Sequence, residues 1–100
     1  ADLGLRISIT ELDIRISNRL YEKDSQAALD QQAKAYGRLM SIFLSHRPAA
    51  ASFVVWGCSD RHSWVPGFMK GYGHACVWDE NLQPKPAFHA LLESLNRASL

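Results

Sequence analysis

Two carboxylates follow an alternating apolar run near the start of the chain. In RISITELDIRIS (residues 6–17) the odd positions read Ile7, Ile9, Glu11 and Asp13. Alternation with a period of two is typical of a β-strand with one buried face. The acids would then lie where the isoleucines have just pointed into a core. One interpretation is a pair of functional carboxylates at a buried strand end, and the alternative is a frayed edge strand whose acids are merely hydrated.

A second apolar run ends in aromatic side chains that could bind a ligand. SFVVWG (residues 52–57) is β-branched and aromatic, which predicts a buried strand, and it leads from Trp56 into a loop that holds Asp60 and Trp64. The C–H groups of sugars stack on aromatic faces while their hydroxyls need polar partners. A sugar-binding wall is therefore one interpretation, and two ordinary core tryptophans are the other.

Other residue types that carry chemistry show weaker patterns. The four histidines are scattered, and no pair has the spacing of metal ligands on a helix, so no metal site is expected. The two cysteines, Cys58 and Cys76, match no zinc or redox motif. A disulfide in an oxidising compartment and two free thiols are both compatible with their positions.

Composition excludes several classes of partner. The 100 residues are 47% hydrophobic and 21% charged, which is typical of a globular chain, and the formal net charge is +1. Such a balance gives no reason to expect nucleic acid or an anionic membrane as partner. No apolar run is long enough to span a bilayer. A chain of this length is one small domain or a piece of a larger one.

The elements that must position these residues alternate between strands and helices. A polar loop is expected at residues 17–25, where Asp24 or Ser25 could cap the next helix. The first helix has an apolar stripe, and Pro48 ends it; the stripe consists of Leu29, Ala33, Tyr36, Met40 and Phe43. Pro86 begins the last helix, whose predicted stripe is Phe88, Leu91, Leu92 and Leu95. The predicted order is a helix end at 1–3 with Gly4 as its cap, strand 5–14, helix 26–46, strand 52–57, loop 58–85 and a helix from 86.

This β-α-β-α order predicts parallel strands joined by right-handed crossovers. Two parallel strands leave two open edges and too little sheet to stand alone, which indicates a segment of a larger α/β structure. In an eight-stranded β/α barrel, side chains low in the barrel are apolar and those at the carboxyl ends of the strands face the active site. The run from Ile7 to Asp13 has that profile.

Three stretches in register resemble one known family. ITELDI (9–14), WGCSDRHSW (56–64) and DENLQPKPAFHALLESL (79–95) look like the C-terminal end of glycoside hydrolase family 10 endo-β-1,4-xylanases. ADLGLRI (1–7) is similar to the link from the sixth helix into the seventh strand of that family. The resemblance implies an α/β fold in which residues 1–100 are the C-terminal segment of a single (β/α)8 TIM-barrel domain, namely two parallel βα units, the seventh and the eighth.

The resemblance also implies roles for single residues. Glu11 matches the catalytic nucleophile at the end of the seventh strand, and Asp13 matches a supporting carboxylate that orients a histidine near it. Trp56 and Trp64 match the aromatic walls around the sugar just upstream of the cleaved bond. Arg61 and His62 depart from the Lys-Tyr found in many relatives, so no binding role is assigned to them.

The implied reaction is retaining hydrolysis of internal β-1,4-xylosidic bonds in xylan. It needs two carboxyl groups on opposite sides of the bond, about 5–5.5 Å apart. On one strand face, Glu11 and Asp13 would be separated by about 6.6 Å of rise and would approach the sugar from the same side. Asp13 therefore cannot be the acid/base, and the family places that Glu on the fourth strand, outside this sequence.

The partners and setting follow from that reaction. The implied partners are xylan or xylo-oligosaccharides and the remainder of the barrel, with no metal or organic cofactor. Because polymeric xylan is too large to enter cells, a secreted or extracellular location is expected.

Two other interpretations belong to different functional classes. The 100 residues could form a non-catalytic fragment, inactive alone, that self-associates or docks onto the missing part of the barrel. A stand-alone sugar-binding module is disfavoured, because the aromatic residues lack a self-contained scaffold.

Overall fold

The computed structural model describes residues 3–98. The helix end predicted at residues 1–3 therefore lies mainly outside the described residues. Gly4 has a φ of +71°, the left-handed conformation expected of a residue that caps a helix. The helices and strands, in chain order, are β1 (Ile7–Leu12), β2 (Ile16–Ser17), α1 (Asn18–Lys23), α2 (Ser25–Ser45), β3 (Ala50–Val55), α3 (Val65–Phe68), β4 (Tyr72–Gly73) and α4 (Pro86–Ala98), with a 3-10 turn at Asp60–His62 between β3 and α3.

The two main strands lie side by side. β1 and β3 pair in parallel, and α2 connects them, as the β-α-β order predicts. The alternation is not regular, because the pairing shifts register between Ile7 and Ser8 and again between Ile9 and Leu12. Such irregularities re-aim side chains. Leu12 consequently packs against the core between the sheet and the helices, whereas Glu11 is exposed.

A second, antiparallel pairing was not predicted from the sequence. β2 and β4 pair through Ile16 with Gly73 and through Ser17 with Tyr72. Each of these strands has only two residues, too few for a hydrophobic period to show in the sequence. The pairing ties the segment after β1 to the long loop between β3 and α4.

The loop predicted at residues 17–25 is wrong over most of its length. Asn18–Lys23 forms α1, in which no residue is buried and no side chain caps the first turn. Six residues of which only Leu20 and Tyr21 are apolar are too few to show the apolar stripe by which a helix is recognised. A residue distant in sequence fixes the start of α1, because the backbone N–H of Asn18 donates to Gly71 O at 2.8 Å.

The first long helix agrees with its prediction. The Asp24 side chain caps α2 by accepting a hydrogen bond from the backbone N–H of Ala27 at 3.1 Å. The buried face of α2 includes four of the five predicted stripe residues and adds polar Gln32; its members are Ala28, Gln32, Ala33, Tyr36, Met40 and Phe43.

The last helix begins at Pro86 as predicted, but part of its predicted stripe is wrong. Leu92 and Leu95 are 45% and 44% exposed, whereas Ala87 and Ser94 are buried. The reason is the close approach of α4 to α2. A β-carbon added at Gly37 would lie 3.3 Å from Cβ of Ala90, so only small side chains fit between the helices.

The core lies between the β1–β3 pair and these two helices. Tyr36, Val77 and Ala87 form its centre. Half-buried apolar side chains from both strands, the loop and α4 surround this centre, namely Leu12, Ile14, Val55, Trp78, Phe88 and Leu91. Among the described residues, no helix combines the length and apolar character that crossing a membrane requires.

Candidate active site

The carboxyl ends of β1 and β3 meet at one edge of the sheet. The pairing ends with Leu12 opposite Val55, and the backbone N–H of Trp56 then donates to Leu12 O at 2.9 Å. Glu11 is exposed at this edge, and Trp56 is 50% exposed directly after β3. A carboxylate and an aromatic side chain predicted from the sequence therefore end their strands side by side.

Asp13 joins the strand end to the loop tryptophan. The Trp64 Nε1–H group donates to Asp13 Oδ2 at 2.5 Å. The second oxygen, Asp13 Oδ1, is buried and has no hydrogen-bond partner among residues 3–98. A buried carboxylate oxygen without a donor is costly, so it is a point at which a partner outside the described part would be stabilising.

The two tryptophans share one surface. Trp56 and Trp64 line a shallow cavity together with Gly57, His62 and Ser63. Trp64 is 39% exposed, and its ring packs against Phe68 with the centroids 5.6 Å apart. This exposure is more than core tryptophans would have, and it favours a role at a surface. The third tryptophan, Trp78, instead packs on Phe88 in the core, with 5.0 Å between ring centroids.

A buried ion pair anchors the loop that carries Trp64. Lys85 Nζ lies 2.8 Å from Asp60 Oδ2, and the two side chains are only 3% and 9% exposed. Asp60 Oδ1 also accepts from the backbone N–H of Cys76 at 2.8 Å, and Lys85 donates to His74 O at 2.8 Å. Sequence reasoning missed Lys85, because the two partners are 25 positions apart and no local pattern connects them.

Two acidic side chains of the loop, Asp60 and Asp79, have structural partners. Asp60 is held by Lys85 and Cys76, and Asp79 Oδ1 accepts from the backbone N–H groups of Asn81 and Gln83. Both carboxylates therefore already accept hydrogen bonds from the backbone, and Asp60 also from the Lys85 ammonium group. A carboxylate with such partners is unsuited to donate a proton to a substrate. Within the described residues, no group of three or more His, Cys, Asp or Glu side chains is arranged to hold a metal ion.

The cysteines are free thiols in two different settings. Cys58 is exposed, and Cys76 is buried. Burial raises the pKa of the Cys76 thiol to about 11, and the nearby Asp60 carboxylate acts in the same direction. Burial also lowers the pKa of His74 from its ordinary value, an effect that Asp60 opposes. The Cys76 thiol lies close to the tryptophan cavity, since a β-carbon added at Gly57 would be 3.5 Å from its sulfur.

Several groups that could take part in catalysis or ligand binding lie at this edge. It offers an exposed carboxylate at a parallel strand end, a second carboxylate beside it and two partly exposed indole faces. The fold and this arrangement define a segment of an α/β glycoside hydrolase. A sequence model of glycosyl hydrolase family 10 matches residues 1–94, so the chain belongs to that family.

Individual relatives agree with this assignment. The chain is 43% identical over 95 residues to endo-1,4-beta-xylanase B of Thermotoga neapolitana, a match that covers 93% of the chain and 26% of that protein. The chain thus spans about a quarter of the length of the curated relatives it matches.

Solved structures give the same result for the fold. The native xylanase 10B of Thermotoga maritima superposes with a TM-score of 0.87 at 42% identity, over 96% of this chain and 28% of that one. Xylanase 10B of Thermotoga petrophila RKU-1, crystallised in complex with xylobiose, gives the same four values. The prediction of part of a TIM-barrel glycoside hydrolase is therefore confirmed at the level of the family fold.

Proposed function

We propose that this chain is the C-terminal segment of an endo-1,4-β-xylanase barrel and supplies the half of the active site that carries the nucleophile. The observation that carries this proposal is the hydrogen bond from Trp64 to Asp13, which joins a loop tryptophan to the carboxylate strand beside Trp56. The xylanase names of the relatives support the activity, and the xylobiose complex of a structural relative supports xylan or xylo-oligosaccharide as the substrate.

Glu11 acts as the nucleophile of a retaining reaction. Its carboxylate attacks the anomeric carbon of the sugar while the bond from that carbon to the glycosidic oxygen breaks. The leaving oxygen takes a proton from an acid/base carboxyl group, which then accepts a proton from the water that hydrolyses the glycosyl-enzyme. The exposure of Glu11 at the sheet edge suits this role, because the attacking oxygen must reach substrate.

Asp13 supports the site in two directions. One oxygen holds the Trp64 indole, and the other is buried with no partner in the described part of the chain. We assign the free oxygen to a histidine elsewhere in the barrel, which it orients toward the nucleophile. Trp56 and Trp64 then form the walls around the sugar upstream of the cleaved bond, and their exposed faces stack on its C–H groups.

The remainder of the barrel supplies what this segment lacks. We place residues 1–100 as the seventh and eighth βα units of one barrel domain, with the acid/base Glu on another strand. The carboxylates of Asp60 and Asp79 already have hydrogen-bond partners within the chain, which supports an acid/base residue outside this segment. The chemistry needs neither a metal nor an organic cofactor, and the polymeric substrate favours a secreted protein.

Covalent trapping of the nucleophile tests this proposal. The full-length protein is incubated with a 2-deoxy-2-fluoro-β-xylobioside that carries a dinitrophenolate leaving group. Fluorine at C2 disfavours the oxocarbenium-like transition states of both steps, whereas the good leaving group speeds only the first. The glycosyl-enzyme therefore accumulates. We expect one sugar per protein on the peptide that contains Glu11. Glu11→Gln should abolish labelling and lower kcat on xylan by about 10⁴-fold or more.

Glu22→Gln is the matched control, since Glu22 is an exposed carboxylate on α1, away from the candidate site. This variant should be labelled and should turn over xylan like the unmodified protein. A label on any other carboxylate, or full activity of Glu11→Gln, would contradict the assignment.

A second candidate function is that of a non-catalytic fragment that self-associates or docks onto the rest of the barrel. It is favoured by the exposure of apolar side chains beside and within the sheet, since Leu5 is 63% and Val54 is 48% exposed. Solution mass and release of reducing sugar from xylan separate the two cases, measured for the 100-residue chain alone and mixed with the upstream segment. Activity of the chain alone would contradict the fragment interpretation.

A further inference from the structure

The residue after Asp13 is held by two side chains of α2. Gln32 Nε2 donates to the backbone carbonyl of Ile14 at 2.7 Å. The backbone N–H of Ile14 donates to the Tyr36 hydroxyl at 3.3 Å. Gln32 and Tyr36 lie one turn apart on the buried face of α2, so both polar groups of one peptide segment are bound by the same helix.

The same two side chains also hold the loop on the other side. Gln32 Nε2 donates to His74 O at 2.5 Å, and the Tyr36 hydroxyl donates to Ala75 O at 2.5 Å. Gln32 and Tyr36 therefore form a polar bridge between Ile14 and residues 74–75. We use the term polar bridge for these two side chains and their four hydrogen bonds.

The polar bridge begins where strand pairing ends. The last bond between β1 and β3 runs from the Trp56 N–H to Leu12 O, and residues 13–15 belong to no strand. Asp13 thus lies between the end of the sheet and the polar bridge. On the C-terminal side of Asp13 the bridge adds to two other attachments, a long 3.5 Å hydrogen bond from the Ile14 N–H to Ala75 O and the β2–β4 pairing at Ile16.

Burial makes the bridge rigid. Tyr36 is fully buried and Gln32 is 3% exposed, so water cannot replace either donor. Gln32 Oε1 has no hydrogen-bond partner within residues 3–98, which leaves the two bonds from Nε2 as the interactions that orient the amide. Burial also raises the pKa of Tyr36 above its ordinary value, so its hydroxyl remains a donor at any working pH of the enzyme.

We propose that Gln32 and Tyr36 are positioning residues for the reaction assigned above. They fix the backbone at Ile14, and through it they hold Asp13, the Trp64 indole bound to Asp13 and the nearby Glu11 in register. The inference rests on the proposed function, because it concerns the same site. It adds that two side chains of α2 help to set the positions of Glu11 and Asp13.

Isosteric substitutions in the full-length protein test the polar bridge. Tyr36→Phe removes only the hydroxyl, and Gln32→Met removes only the amide. Because displacement of reacting groups by a fraction of an ångström is costly, we expect each variant to lower kcat about tenfold while KM stays within about twofold. The rate at which the fluorinated xylobioside labels Glu11 should fall in parallel with kcat.

Ser94→Ala is the matched control. Ser94 is buried, and its hydroxyl donates to Gly37 O at 3.1 Å, a side-chain-to-backbone bond between α4 and the same helix. This variant should lower the melting temperature and leave kcat, KM and the labelling rate unchanged. All rates are measured well below the melting temperature of each variant, so that loss of folded protein does not contribute.

The outcomes separate the two proposals. Unmodified protein that neither hydrolyses xylan nor becomes labelled would defeat the proposed function itself. Unmodified protein that does both, with kinetics unchanged in Gln32→Met and Tyr36→Phe as in Ser94→Ala, would overturn the positioning role alone. If Tyr36→Phe does not fold, Gln32→Met decides the question.

Discussion

Two regions of the molecule differ in the burial and hydrogen bonding of their side chains. One is the side of the sheet covered by the helices, and the other is the carboxyl edge, where β1 and β3 end. Beneath the helices, Tyr36 and Ala87 are 0% exposed, and buried polar groups such as Lys85 have close partners. In and around the strands, Val54 is 48% and Trp56 is 50% exposed. At the carboxyl edge, one buried oxygen of Asp13 has no donor among residues 3–98.

This difference separates stability from activity. Parallel strands are normally covered on both faces, so the exposed apolar residues of β3 are unusual for such a strand, and they agree with the proposal that this chain is a segment of a barrel. The helices, by contrast, bury the apolar faces of their core residues within the described chain, and Gln32 Oε1 is their one buried side-chain oxygen without a donor among residues 3–98. Outside the polar bridge of Gln32 and Tyr36, we therefore expect substitutions beneath the helices to change mainly the free energy of unfolding. Substitutions at the carboxyl edge and in the polar bridge should change mainly the kinetics.

The largest change in stability is expected at the buried ion pair. Lys85→Met removes the cation and leaves Asp60 buried without its charged partner. Breaking a buried pair from one side typically costs about 3–5 kcal/mol. Urea unfolding of the full-length protein should show this loss.

Two further variants sharpen this test. Arg97→Ala breaks an exposed pair with Glu93, whose side chains are 70% and 66% exposed, and should cost less than about 0.5 kcal/mol. The double variant Lys85→Met/Asp60→Leu should recover part of the loss, because no unpaired charge remains. Equal losses for Lys85→Met and Arg97→Ala would refute the distinction between the buried and exposed pairs.

The elements with a strong hydrophobic period were predictable from the sequence. The stripe of α2, its Asp24 cap and the start of α4 at Pro86 each follow from local rules, and the structure confirms them. The parallel pairing of the strands follows from their order. The exposed face of α4 was misassigned because Leu92 and Leu95 fit a helical stripe, while the actual contact with α2 selects small residues.

Contacts between distant residues were not predictable. The polar bridge uses a glutamine that no apolar pattern marks and a tyrosine whose hydroxyl the stripe ignores. The Asp60–Lys85 pair and the β2–β4 pairing likewise depend on how a long loop folds back. The bond from Trp64 to Asp13 was not predictable either, because only the folded loop brings these two residues together.

Effects of intermediate size are expected at two tryptophans. A substitution of Trp64, at the carboxyl edge, should change KM, whereas a substitution of Trp78, in the core, should change stability. Trp64→Ala removes an exposed indole face from the candidate sugar wall, so KM for xylo-oligosaccharides should rise about tenfold, or about 1.4 kcal/mol. Trp78→Phe alters an indole packed on Phe88 and should instead cost about 1–2 kcal/mol of stability. Steady-state kinetics and urea unfolding of both variants give the comparison.

Trp64→Phe separates the two roles of Trp64. It keeps an aromatic face but loses the N–H group that binds Asp13. A KM between those of Trp64→Ala and the unmodified protein, together with a lower kcat, is expected if that hydrogen bond also orders the carboxylate. Unchanged KM and kcat in Trp64→Ala would remove Trp64 from the sugar wall.

The smallest change in stability is expected at the exposed thiol. Cys58→Ser should alter the free energy of unfolding by less than about 0.5 kcal/mol, because Cys58 is exposed. It should, however, abolish rapid thiol labelling. Cys76 is 1% exposed, and its thiol pKa is raised from 9.0 to about 11, so its thiolate fraction at pH 8 is about a hundredfold lower than that of an unperturbed thiol. Labelling of Cys76 should therefore require urea or a pH approaching 11. Equal labelling rates for Cys58 and Cys76 in the native protein at pH 8 would contradict the burial of Cys76.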